Sequence, residues 1–471
     1  MMPRLVEIME PLARFLPEVS KPKRKLTLRE RLIWTGVVLT IYFVMSQTPL
    51  YGLVRGAGYD PFLYMRMLFA SKRGTLMELG IGPIVTAGLI MQLLAGSRLI
   101  DIDLSDPKDR ALFTASQKLM AIIWGGIQAI AYILGGAFGQ LTPGIAILVF
   151  AQLLFATIVV MLLDEMVQKG WGIGSGVSLF IAAGISQQII WQIFSPIYAN
   201  DGKYLGAILA FIQTLMRGEG IVNAFIRRGS LPSMTGLILT IIIFMITIYL
   251  EGMRIEIPVA LARYRGIRTK IPLKFLYVSN VPIIFTSMLL VDIKIISLLI
   301  WRQFNPANTV TLLNWIGMFN QTTNQPIGGL AYYATPPRGL TSVMQDPVHA
   351  LIYSIILTIF SVIFAVIWVE ASGLSAKEQA SQLVQSGLHI PGFRSSPKII
   401  ESVLKKYIPA LTILSGIIVA VIAAVADIMG AIGSGMGILL TVGIIYQYWS
   451  ILTQEQIEEL YPVVRRIMGE K

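Results

Sequence analysis

The 471-residue chain has no cysteine and only two histidines, His349 and His389. The first absence removes disulfide frameworks, thiolate nucleophiles and cysteine-based zinc sites. Two histidines are too few for a histidine-rich metal site or proton relay, and neither a cofactor nor a metal is expected. No glycine-rich phosphate-binding loop is present, so any energy source lies in a partner. Charge is scarce as well, at 14% of residues. Asp164, Glu165, Glu251, Glu256, Glu370 and Asp427 fall at the ends of apolar runs. That pattern reads as a membrane interior nearly free of charge, unlike the embedded ionisable groups that a proton- or ion-coupled transporter uses. An intramembrane serine protease would pair a serine with a histidine across helices. Ser175 has no such partner, because His349 begins a span on the opposite side and His389 sits in a loop.

What is abundant is apolar. Hydrophobic residues make up 55% of the chain, and the mean hydropathy is +0.70. These values define an all-α polytopic membrane protein. A charged, amphipathic segment (1–31) holds eight Lys and Arg between Arg4 and Arg31, lacks a signal-peptide pattern, and is expected to stay in the cytosol. Spans are predicted from Leu32 through Gln47, at the interrupted stretch up to residue 97, and over Arg110–Phe138, Gly144–Gln168 and from Gly172 to Phe194. The second group covers Gly236–Pro258, Phe275–Trp301, Asp346 to Glu370, Ile408–Ala426 and a run opening at Gly433. Residues 32–194 thus form one half and 236–460 the other, with a charged tail at 461–471. Residues 195–235 carry an amphipathic piece, Leu205–Met216, too short to cross and read as interfacial. Two basic loops, about 259–274 and 371–406, fall on the side of the N-terminus, as do most of the chain's 38 Lys and Arg. Topology alone accounts for the net charge of +12.

The chain is organised around residues 60–97. A short mixed piece, Phe62, Leu63, Tyr64, Met65, Arg66, Met67, Leu68 and Phe69, precedes a basic break at Lys72 and Arg73. The apolar run Ile81–Leu94 follows, opened by Gly80, Gly82 and Pro83; it falls short of the roughly 20 residues that a full span needs. Interrupted helices persist at membrane depth only where they are buried in protein or line a cavity, so this stretch marks a pore or a substrate site.

Landmarks recur in the same order in both parts of the chain. An interrupted helix carries Pro83 or Pro282. An Asp-Pro start follows, Asp106-Pro107 or Asp346-Pro347, and then a Gly-x-Gly-x-Gly opening, at Gly172 or Gly433. Five spans per half invert the second copy, which gives two inverted repeats around a central pore. The residues alone leave three functions open: a passive polypeptide channel, a small-solute secondary transporter and a non-transporting assembly scaffold.

The segments GTLMELGIGPIVTAGLIMQLLAGS, LLDEMVQKGWGIGSGVSLFIAAGISQ, RIEIPVA, YVSNVPII, DPVHALIY, HIPGFR and GSGMGILLTV resemble the SecY family, the channel subunits of the Sec protein translocase, in its archaeal form. The resemblance covers nearly the whole chain and implies a protein-conducting channel, not an enzyme, in the plasma membrane with both termini cytosolic. It implies a plug at about Asp60–Ser71 and a constriction ring of Ile81, Val85, Val177, Ile181, Ile284 and Leu440. It also implies a lateral gate between spans two/three and seven/eight, with Thr86, Gln128 and Asn280 as its polar positions. The expected partners are a SecE-type gamma subunit, a small beta subunit, the ribosome, signal sequences and nascent polypeptides, and membrane lipid. The basic loops supply the expected ribosome-docking residues Arg263, Arg265, Arg268 and Arg394.

Overall fold

The computed structural model describes residues 16–53, 71–96, 100, 106–135, 137–139, 141–199, 201–225, 227, 231–261, 268–278, 280–321, 324–337, 339–385, 388–389 and 397–460. Helix α1 (Leu28–Gln47) starts at a capping box, in which Thr27 and Glu30 each accept the other's backbone amide. Helix α2 (Gly82–Gly96) has 15 residues. At about 1.5 Å per residue it is shorter than the hydrocarbon core. Helices α3 (Pro107–Leu134), α4 (Pro143–Met166, continued by a π turn at Val167–Trp171) and α5 (Gly176–Phe194) complete the first half. Two short helices, α6 (Ala207–Met216) and α7 (Ile221–Phe225), lead to α8 (Met234–Gly252). A hairpin of β1 (Arg254–Leu261) and β2 (Arg268–Lys274) follows, then α9 (Asn280–Phe304).

The loop after α9 is more structured than a polar linker. It folds into α10 (Thr311–Asn314), the pair β3 (Met318–Phe319) and β4 (Pro326–Gly328), α11 (Leu330–Tyr333) and α12 (Gly339–Gln345). The chain closes with α13 (Pro347–Ala371), α14 (Ala376–Gln385), β5 (Leu388–His389), α15 (Pro397–Ile428) and α16 (Gly435–Leu460). Among the described residues, α3, α4, α5, α8, α9, α13, α15 and α16 are long and apolar enough to cross a membrane. With α1 and the short α2 they make the ten expected segments.

Several boundaries differ from the sequence reading. The sixth segment ends at Gly252 rather than Pro258, because Met253 turns extended and Ile255 and Ile257 enter a ladder with Leu273 and Ile271. The seventh begins at Asn280, which places Pro282 in its first turn, where a missing N–H costs nothing. The second basic loop is cut short, since α15 starts at Pro397 and runs 32 residues through Pro409. The third segment ends at Leu134, where Gly135 caps it.

The repeated landmarks have a physical basis. Asp106 and Asp346 are N-caps, accepting the amides of Lys108 and His349, each with Pro at the next position. The His349 amide and the Tyr332 hydroxyl hold the Asp346 carboxyl below the usual carboxylate range. The glycine-opened helices α5 and α16 start inside the protein and are capped from the preceding helix. Asp164 on α4 accepts the Val177 amide at 2.9 Å, and Asp427 on α15 accepts the Gly435 amide at 2.7 Å. Glycine is required there by close approach. A Cβ at Gly176 would lie 2.6 Å from the Asp164 Cα, and one at Gly435 would lie 2.1 Å from the Ala423 carbonyl oxygen.

One apolar core runs through both halves, and hydroxyls within it, such as Thr157, Thr286 and Ser287, bond back to carbonyls of their own helices. A second core joins the hairpin (Ile257, Leu273) to α13, α14 and α15. Asp427→Ala removes a buried acceptor that also takes the Tyr353 hydroxyl, at about 1–3 kcal/mol for an orphaned buried donor. Thermal unfolding of the purified protein should show a larger loss for Asp427→Ala than for Asp106→Ala, whose cap is exposed. Equal losses would contradict the internal cap.

Candidate functional site

Ile81 closes the turn before α2, and Val85 lies one turn further on. Val177 and Ile181 are a turn apart on α5, Ile284 lies near the start of α9, and Leu440 sits in the second turn of α16. Five of these are buried, and Val177 is half-buried. All six belong to or pack against the core common to both halves. Helix α5 packs on α16, α16 on α9, and α9 on α2, so two helices from each half supply one apolar region. These side chains offer water no hydrogen-bonding partner.

The two halves meet along a seam where α2 packs on α9 and α13, and α3 packs on α9. A carboxylate that the sequence reading passed over ties this seam. Asp292, in the middle of α9, accepts the Thr86 hydroxyl of α2 on Oδ2 at 3.3 Å and the Gln128 amide of α3 on Oδ1 at 3.4 Å. Thr86 and Gln128 are therefore brought together, and the group that joins them is Asp292. Asn280 lies twelve residues earlier at the start of the same helix, with its side chain outside the described residues. The expected charge-free interior is thus corrected: Asp292 lies mid-span, and Lys294 is also buried on α9, beside a small void bounded by Ser287, Leu290, Thr335 and Met436. The signal was an Asp inside the apolar run VPIIFTSMLLVDIKIISLLI, on the same helical face as Ile284 eight residues before it.

Residues Phe62 to Phe69 of the expected plug lie outside the described residues, as do Arg263, Arg265 and Arg394; Arg268 opens β2, with its side chain also outside them. The backbone nevertheless joins the two basic loops. Strand β1 pairs antiparallel with β2 and, through Ala260 and Leu261, with β5 of the second loop.

The geometry defines a multi-pass helical membrane protein of two packed halves, with an aliphatic centre and a polar tie on the seam between the halves. The chain belongs to the SecY family: residues 75–449 match SecY, and residues 41–74 match the plug domain of Sec61p. It is 43% identical to the protein translocase subunit SecY of Pyrococcus furiosus, over 98% of this chain and 99% of that one. A solved protein-conducting channel superposes with a TM-score of 0.83 at 40% identity, over 98% of this chain and 99% of the other. Sec61 in the canine ribosome-channel complex superposes with a TM-score of 0.80 at 39% identity, over the same shares.

Asp292→Ala would leave the Thr86 hydroxyl and the Gln128 amide without their acceptor, a loss of about 1–3 kcal/mol per buried group, whereas Asp292→Asn keeps an oxygen for at least one of them. Melting temperatures of the two variants should differ in that order. Equal values would remove the tie from the seam.

Proposed function

We propose that this chain is the channel subunit of a protein translocase, a passive conduit that moves secretory polypeptides across the membrane and releases transmembrane segments sideways into lipid. The observation that carries the reading is the single aliphatic region built by two helices from each half, together with family membership across most of the chain. Ile81, Val85, Val177, Ile181, Ile284 and Leu440 act as the constriction. A narrow aliphatic ring dewets and hinders hydrated ions, yet fits around a passing chain of any sequence. The segment carrying Phe62 to Phe69 acts as the plug, supported by the match at 41–74. The seam between α2/α3 and α9/α13 is the lateral gate. Thr86, Gln128 and Asp292 are its polar tie, and Asn280 lies at its cytosolic end.

The small-solute transporter gains nothing from the comparisons. Its rejection rests on family membership, because Asp292 and Lys294 cancel the argument from absent charge. The conduit performs no chemistry of its own and takes its driving force from a docked ribosome. Support for docking is the joining of both basic loops in one sheet and the likeness to Sec61 in a ribosome-channel complex. Arg263, Arg265, Arg268 and Arg394 meet ribosomal phosphates. A SecE-type gamma subunit and a small beta subunit complete the assembly, in the plasma membrane, with both termini in the cytosol.

Two measurements test these roles. Replacing three or more ring members by Ser should raise the ion conductance of the idle complex in planar bilayers; an unchanged leak, together with crosslinks from a stalled chain that miss these positions, places the constriction elsewhere. Charge reversal at Arg265 and Arg394 should weaken ribosome binding and lower its logarithmic salt slope by about one per lost phosphate contact, with membrane insertion intact. An unaltered salt series would reject the docking role.

A further inference from the structure

The seam is bridged at a second level, by a residue with no role so far. Arg302, in the last turn of α9, donates from Nη1 to the carbonyl oxygen of Gly135, the residue that caps α3. The bond joins residues 167 positions apart and links the two halves at the end of the seam opposite Asn280. Helix C-termini leave carbonyls unsatisfied and carry partial negative charge. The Ala131 and Tyr132 carbonyls are taken up by the amides of Gly135 and Ala137, and the Gly135 carbonyl by the guanidinium from the facing half. A cation in the last turn also suits its own helix, but that placement does not require an N–H to reach across the seam.

Beneath this bond the packing is thin. Ala131, Gly135 and Ala137 of the first half face Ile295, Leu298 and Leu299 of α9 around a void of about 10 Å³, at the lower limit for one water. Tyr132 is the one large side chain that the first half brings to this void; the other contacts there are between small residues and Ile and Leu side chains, so dispersion holds the helices weakly beside it. Asp292 and Arg302 are ten residues apart on one helix, about 15 Å, half of the roughly 30 Å hydrocarbon thickness.

We propose that Arg302 is the outer latch of the lateral gate, a positioning residue that holds α9 against the end of α3 until an emerging segment displaces it. The proposal rests on the gate reading above. In the closed channel the latch adds a charge-assisted hydrogen bond that opening breaks. A part-buried bond from an exposed guanidinium shifts the closed-to-open ratio by about five-fold, enough to move the hydrophobicity at which half of a graded series of segments enters lipid.

The test uses the reconstituted complex and exploits the absence of cysteine. Cysteines at Ala131 and Leu299, which line the void, report outer closure through a short bismaleimide. Stalled chains with segments of graded hydrophobicity and a photo-crosslinker report gate entry. In complexes stalled on a segment that half enters, where closed and open states are equally populated, Arg302→Gln should lower the maleimide crosslink about three-fold and let less hydrophobic segments into lipid, and Arg302→Lys should restore part of both. If Arg302→Gln matches the parent in both readouts while Asp292→Ala changes segment entry, the latch is wrong and the gate stands. If segments in the parent complex never crosslink to α2, α3 or α9, the gate reading itself fails and the latch falls with it.

Discussion

Backbone amides at membrane depth have no water to bond to, so a helix that begins inside the bundle needs an acceptor from its own protein. Asp164 and Asp427 supply it. Each stands near the end of one helix and accepts an amide from the glycine-rich start of the next, α5 or α16. Without those carboxylates the two helices that carry Val177, Ile181 and Leu440 would start on orphaned donors, and the aliphatic region they share with α2 and α9 would lose half of its wall. Gly176 and Gly435 follow from the same constraint, because the capped helix start must lie against backbone atoms of its neighbour.

The seam uses polar groups differently. Within each half, hydroxyls such as Thr157 and Thr286 bond back to their own helix and carry no information about the other half. Between the halves, Asp292 reaches Thr86 and Gln128, and Arg302 reaches Gly135. Interhelical hydrogen bonds in bundles contribute modestly, near 1 kcal/mol each. A closure assembled from a few of them is firm at rest and still opens when a hydrophobic segment offers a better contact. Burial of the aliphatic centre and weak bridging of the seam thus divide the work, one resisting ions and the other yielding to a guest helix.

Much of this was legible in the chain. Apolar runs separated the segments, the short α2 stood out by length, and the Asp-Pro and Gly-x-Gly-x-Gly pairs announced two related halves. Boundaries were less legible where pairing competed with helix propensity: Ile255 and Ile257 extend an apolar run in sequence but belong to a strand, since only the ladder with β2 identifies them. Helix α15 begins at Pro397 because amphipathic packing on α14 supports it, which hydropathy does not register. Asp292 was missed for another reason. Most carboxylates sit at span ends, and one carboxylate inside an otherwise apolar run is outweighed by its neighbours, although it lies eight residues from Ile284. Arg302 could not be read at all, because its partner is a backbone carbonyl, which has no signature in sequence.

The measurement closest to the function is co-translational transport in proteoliposomes. The complex is reconstituted with its partner subunits, ribosomes carrying a secretory chain are docked, and external protease is added. Full-length chains protected until detergent is added are the expected result. Chains digested as completely as with empty liposomes, despite ribosomes bound to the complex, would contradict a protein-conducting function.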